Sequence, residues 1–135
     1  MCSVFKNKTL VLKPGRVING SSQRGHVAGV WAGFARSEIL DWWHRQGAEE
    51  VELTATSFAE RSDRTRQLVW EDIPEGQVIS AILDHRQNPA LLKIVTRPSH
   101  PNELAKFEHP RLPLLQKRKF PAIPPGEEEP DLFSA

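Results

Sequence analysis

The chain has 135 residues, 39% of them hydrophobic, a formal net charge of +1 and one cysteine. That length fits one domain of ordinary size, and four Trp with six Phe can fill a core. No stretch approaches the roughly 20 apolar residues that span a bilayer, no signal peptide precedes the first strand-like run, and a lone Cys2 gives no intramolecular disulfide framework. The expectation is a cytoplasmic protein with no membrane partner.

The charge is unevenly placed. From Lys119 onward one lysine stands against Glu127, Glu128, Glu129 and Asp131, a balance of −3, which leaves +4 on the rest of the chain. A mildly basic body with an acidic end permits nucleic-acid contact without requiring it.

In chain order, "TLVLK" (9 to 13) reads as a short strand ending at the Pro14-Gly15 turn, and "NGSSQRG" (19 to 25) as a polar loop. "HVAGVWAGF" (26 to 34) leans to strand, with two glycines that mark bends. "SEILDWWHRQG" is the clearest helix: Ser37 is placed to cap it, Glu38 and Asp41 lie near its positive end, and Gly47 closes it. Ile39, Leu40 and Trp43 share one face at helical spacing, and His44 falls toward solvent near the end. "EVELTA" (50 to 55) alternates acid and apolar, so one strand face is expected buried and the other wet. "RQLVW" (66 to 70), "QVISAIL" (77 to 83) and "LLKIVT" (91 to 96) are further strands, and "PNELAKF" starts a second short helix with Pro101 at its first position.

The fold class is therefore α+β: one compact domain over 1–116, mostly antiparallel sheet with two short helices. A Pro- and Glu-rich tail follows over 117–135, "KRKFPAIPPGEEEPDLFSA", whose composition predicts disorder.

Several chemistries are poorly represented. There is no Gly-rich phosphate loop, no Cys/His pair at zinc spacing and no nucleophile-elbow signature, and the five histidines (26, 44, 85, 100, 109) form no ligand pattern. No cofactor and no metal are expected.

Two features stand out. The chain begins Met-Cys, so removal of Met1 would give Cys2 an α-amine and a thiol on adjacent carbons. The amine titrates near pH ~8, so part of it is neutral in the cytosol. A 1,2-aminothiol attacks a carbonyl to give a Schiff base, and the thiol then closes a five-membered ring. A histidine would shuttle protons and a carboxylic acid would assist loss of water. The second feature is "KFEHPRLPLL" (106 to 115), where two prolines pin His109 and Arg111 on a stiff extended segment.

Together these features resemble the SOS-response-associated peptidase family, whose members shield abasic sites in single-stranded DNA. "KIVTRPSHPNELAKFEHPRLPLL" is similar to the family's "IVTT-A" strand followed by "H-x-R-M-P-V-I-L", with Leu112 in place of Met. "VELTATSFAER" with "RQLVW" resembles its "AET…SF…" and "RCLVP" stretches, and "VWAGFA" is faintly similar to "WGL-P-W". The resemblance covers Cys2 and roughly residues 30 to 70 and 91 to 115. There are departures: Ser3-Val4 stand where the family has Gly-Arg, its Asn-x-Arg is missing, and its Phe-Tyr-Glu-Trp block with the catalytic glutamate has no clear counterpart, Glu71 and Glu75 being the nearest acids. The chain is also shorter than a usual member.

The resemblance implies Cys2 and His109 as catalytic residues in contact with each other, and engagement of single-stranded or abasic-site DNA. Arg111 would brace a phosphate or a carboxylate, and Arg61, Arg64 and Arg66 are candidate phosphate contacts. Trp31, Trp42, Trp43 and Trp70 include possible base-stacking residues. The alternatives are a non-enzymatic binding protein of phage or mobile-element origin acting on a host partner, and, ranked lower, an amidotransferase-like use of the N-terminal cysteine. Asp131-Leu132-Phe133 resembles the short motif that bacterial proteins insert into the replisome sliding clamp, with Leu132 and Phe133 as the apolar anchors. Its usual leading Gln is absent, Glu129 standing there instead.

Overall fold

The computed structural model describes residues 4–11 and 31–120. These residues form mixed α/β structure, mostly strands in antiparallel sheets, with two short helices. The strands are β1 (Val4–Lys6), β2 (Thr9–Val11), β3 (Trp31–Arg36), β4 (Glu49–Thr54), β5 (Ser57–Arg61), β6 (Leu68–Asp72), β7 (Gln77–Asp84), β8 (Leu91–Pro98), β9 (Arg111–Pro113) and β10 (Leu115–Lys117). Helix α1 (Leu40–Arg45) follows a 3-10 turn at Ser37–Ile39, and α2 is Pro101–Phe107.

A small sheet has the order β1-β5-β6, and a larger one the order β2-β4-β7-β8-β3, with β10 on β7 and β9 on β8. One pairing is parallel, β3 with β8, and its register shifts between Trp31 and Phe34, where Gly33 takes φ +114°. A side chain resists that conformation, so the glycine permits the bulge. The two sheets share a ribbon. The antiparallel register that pairs Val4 with Ala59 is the one that pairs Thr9 with Thr54, and the strands bend between the sheets at Asn7 and Thr56. Asn7 sits at φ +55° there and donates from Nδ2 to Thr56 Oγ1 at 3.1 Å.

The main core lies on one face of the large sheet. Val51, Leu53, Ile79, Ala81, Leu83, Leu92 and Ile94 meet Phe58 of the small sheet, Phe107 of α2 and Leu112 of β9. Phe58 and Phe107 stack at 5.7 Å between centroids, 15° from parallel. On the opposite face a smaller cluster of Ala35, Trp43, Ile82 and Val95 seats α1.

Helix α2 spans the residues its sequence signals name, with Pro101 first. His100 is the N-cap, and its N–H donates to Glu103 Oε1 at 2.8 Å. Helix α1 is shorter than its pattern suggests. Ser37 makes no cap bond and instead donates to Glu38 Oε1, and Ile39 is exposed while Trp43 is buried. Gly47 does take positive φ, +86°.

"EVELTA" departs from a half-wet strand. Glu52, expected on the solvent face, is fully buried because residues 116–120 cross over it. Its carboxylate accepts from the backbone N–H of Lys119 (2.8 Å) and Phe120 (3.2 Å) and from Gln116 Nε2 (3.5 Å). Pairing with the body thus continues past residue 116, with Lys117 opposite Gln77 and Arg118 N donating to Gly76 O at 3.0 Å. Of the tail expected to be disordered, 117–135, residues 117–120 are held to the body by these bonds, and the rest lie outside the described residues.

Candidate functional site

The "HPRLP" stretch is a rigid bridge. Ser99 holds it at its start, donating from Oγ to His109 O at 2.7 Å and from its backbone N–H to Pro110 O at 2.9 Å. Beyond it β9 pairs with β8, placing Leu112 in the core.

His109 lies beside Glu60, with Nε2 3.9 Å from Oε1. That distance is a charge contact and too long for a hydrogen bond. Alternation explains the meeting. In β5, Phe58 and Glu60 point to the same side. Phe58 stacks on Phe107, so Glu60, two residues on, faces the segment two residues beyond Phe107. Glu60 is 2% exposed, and His109 is partly buried.

The imidazole is oriented from its other nitrogen. Nδ1 is 2.6 Å from Arg111 O and 3.2 Å from Arg111 N. A carbonyl only accepts, so the shorter contact assigns the hydrogen to Nδ1. That leaves Nε2 as the ring nitrogen facing Glu60.

The β5–β6 hairpin is tied to the same place. Ser62 donates from Oγ to Glu108 Oε1 at 2.9 Å, Arg64 Nε donates to Glu108 Oε2 at 2.5 Å, and Asp63 N donates to Glu108 O at 2.9 Å. Arg64 and Ser62 hold the Glu108 carboxyl below the usual carboxylate range. Glu108 itself sits at φ +53°, the left-handed end of α2 from which the chain turns into His109.

Of the arginines named from sequence, three ring this hairpin. Arg61 donates to Arg66 O at 2.6 Å, Arg64 is held by Glu108, and Arg66 is exposed at φ +67°. That left-handed residue also delays β6, which begins at Leu68. Arg111 points elsewhere. Its fork grips Glu38 at 2.7 and 3.0 Å, and it donates to Thr96 Oγ1 and Thr96 O, so it braces a carboxylate of its own chain and ties β9 to the turn before α1. Arg111 is the main reason the Glu38 carboxyl falls to about 2.

Trp43 is core, with no acceptor for its Nε1 hydrogen among the described residues. Trp42 is exposed, and Trp70 lies under Lys6 Nζ at 4.2 Å. The backbone of Trp31 is in β3, its side chain outside the description. Cys2, Leu132 and Phe133 lie outside the described residues, so the expected contact of Cys2 with His109 does too. Among the described residues no cluster of His, Cys, Asp and Glu is arranged to hold a metal, and no helix is long and apolar enough to cross a membrane.

Glu60 is the member of this site that sequence patterning misses. Its only local signal is the Phe58-x-Glu60 alternation, which puts the acid on the same strand face as a core aromatic. No family model, curated protein or solved structure matches the chain.

Proposed function

We propose that this protein captures abasic sites in single-stranded DNA through an N-terminal Cys2 exposed by removal of Met1, with His109 and Glu60 moving the protons. The observation that carries this reading is the buried Glu60 set against an imidazole whose Nδ1 is already fixed, an arrangement suited to general acid–base work. Chain connectivity supports the nucleophile. Val4 pairs with Ala59, the residue before Glu60, and Cys2 is tethered to Val4 by at most about 7 Å of chain.

The reaction balances with one water released. The Cys2 amine attacks the ring-opened abasic-site aldehyde to give a carbinolamine. Glu60, reprotonated through His109, donates a proton to the departing hydroxyl, and water leaves an imine. The thiol adds to that carbon, its proton passing to nitrogen, and a five-membered ring closes. Arg66 supplies a phosphate contact, and Arg61 and Arg64 shape the hairpin that presents it. Asp131-Leu132-Phe133 would recruit the protein to a sliding clamp.

The test is incubation of the Met1-processed protein with single-stranded DNA carrying one abasic site. The expected outcome is a denaturation-resistant adduct of protein plus DNA minus one water, abolished in Cys2→Ala and slowed about 100-fold or more in His109→Ala. Salt-dependent DNA binding with no adduct would leave a binding module without the chemistry, and binding indifferent to salt would remove DNA as the partner.

A further inference from the structure

The side of the large sheet away from the His109 site carries an uncovered apolar pair. Ile39 and Trp42, one helical turn apart, are 46% and 39% exposed. Basic groups surround them. Arg86 lies 5.5 Å from the Trp42 ring centroid and 5.2 Å from that of Trp43, Lys93 Nζ lies 5.5 Å from Trp43, and Arg45 is exposed in the last turn of α1. Asp84 fixes Arg86 through two bonds of 2.9 Å, and Asp41 is the other acid on the helix. Arg45, Arg86 and Lys93 outnumber these two acids.

The chain leaves its described part on this same face. Cross-strand pairing sets Glu50 opposite Ile82 and Ile82 opposite Lys93, and Ile82 packs with Trp43. Glu50 bonds Lys119 Nζ, and Glu52, one step along the same face, receives the N–H groups of Lys119 and Phe120. From Glu50 to Lys93 is two strand spacings, on the order of 10 Å.

We infer that the segment Glu127–Phe133 docks on this face of its own chain, with Leu132 and Phe133 on Ile39 and Trp42 and its acids beside Arg45, Arg86 and Lys93. The occupant has what the face lacks, two adjacent apolar anchors preceded by Glu127, Glu128, Glu129 and Asp131. The tether suffices: a twelve-residue span reaches up to about 40 Å extended and about 20 Å as a coil. Tethering gives an effective concentration on the order of millimolar, so weak contacts are enough. Docked, Leu132 and Phe133 are withheld from any other partner, which makes the contact autoinhibitory toward recruitment. The inference does not depend on the chemistry proposed for Cys2.

The test compares 15N-labelled full-length protein with a Leu132→Ala/Phe133→Ala variant by NMR. The substitutions remove none of the hydrogen bonds or core contacts named above, so both chains are expected to fold alike. The expected result is a shift of the Trp42 indole N–H and of the amides of residues 39–45 and 84–86, unaffected by dilution and reduced in about 0.5 M salt, where the Debye length falls to a few ångströms. Identical α1 resonances in the two proteins would overturn the inference. So would shifts that vanish on dilution, which would assign the face to a second copy. Equal binding of a single-stranded oligonucleotide at Trp42 by both proteins would overturn it as well, because a docked tail must compete.

Discussion

Two buried carboxylates, Glu52 in β4 and Glu60 in β5, occupy strands consecutive in the chain but in different sheets, and are almost equally hidden from solvent. Their surroundings set them apart. Glu52 receives two backbone N–H groups and a side-chain amide, donors that carry no exchangeable charge. Glu60 faces the Nε2 of an imidazole that can take or give a proton. The first environment fixes a chain crossing, and the second sets a buried carboxylate beside an imidazole. Burial of an acid therefore says little until its neighbours are named.

The largest effect is expected at Phe107, on the Glu60 side of the comparison. Its ring stacks on Phe58 and closes the core of the large sheet. Phe107→Ala is expected to cost about 3–5 kcal/mol, read from chemical denaturation, and to loosen Glu60 from His109. A loss under about 1 kcal/mol would mean the ring does not close that core.

Glu52→Gln comes next. It sets an amide NH2 or a weaker oxygen against the N–H groups of Lys119 and Phe120, at an expected cost of about 2–3 kcal/mol in urea unfolding. Hydrogen exchange should quicken at both amides. Unchanged exchange there would show that Glu52 does not hold the crossing.

The smallest effect sharpens the comparison on the α2 side. Arg97 grips Glu103 at 2.6 and 2.7 Å and is the first cause of a carboxyl lowered from 4.5 to about 2. A depressed folded pKa contributes stability in full above the unfolded value, and this is lost as pH falls through the folded one. The pair therefore stabilises above about pH 4.5 and stops doing so near about 2. Partial exposure screens it, so the contribution is on the order of 1 kcal/mol. The melting-temperature gap between wild type and Glu103→Gln should close as pH drops through that window. A gap constant with pH would assign the effect to the capping box alone.

Much of the fold is legible in sequence because its signals are local. Pro101 and Phe107 bound a helix, and near-continuous apolar runs mark β7 and β8. What escapes is non-local. Nothing near Glu52 in the chain announces that residues 116–120 will cover it, so its alternation reads as a wet face. "SFAER" is too short and polar to stand out as a strand, and it becomes one between β1 and β6, far apart in sequence. The same pairing brings Glu60 to His109. The "HPRLP" stretch could be read as a rigid holder of its histidine, but the partner of Arg111, Glu38, comes from a distant turn.

The central claim is that Glu60 and His109 work as a proton-transfer pair on chemistry begun by Cys2. The direct measurement is the single-turnover rate of adduct formation with abasic single-stranded DNA across pH, for processed wild type and Glu60→Gln, with circular dichroism confirming that both are folded. The account expects Glu60→Gln to form the adduct about 100-fold or more slowly at neutral pH and to lose one limb of the pH profile. A folded Glu60→Gln protein that reacts at the wild-type rate with the wild-type profile would contradict it.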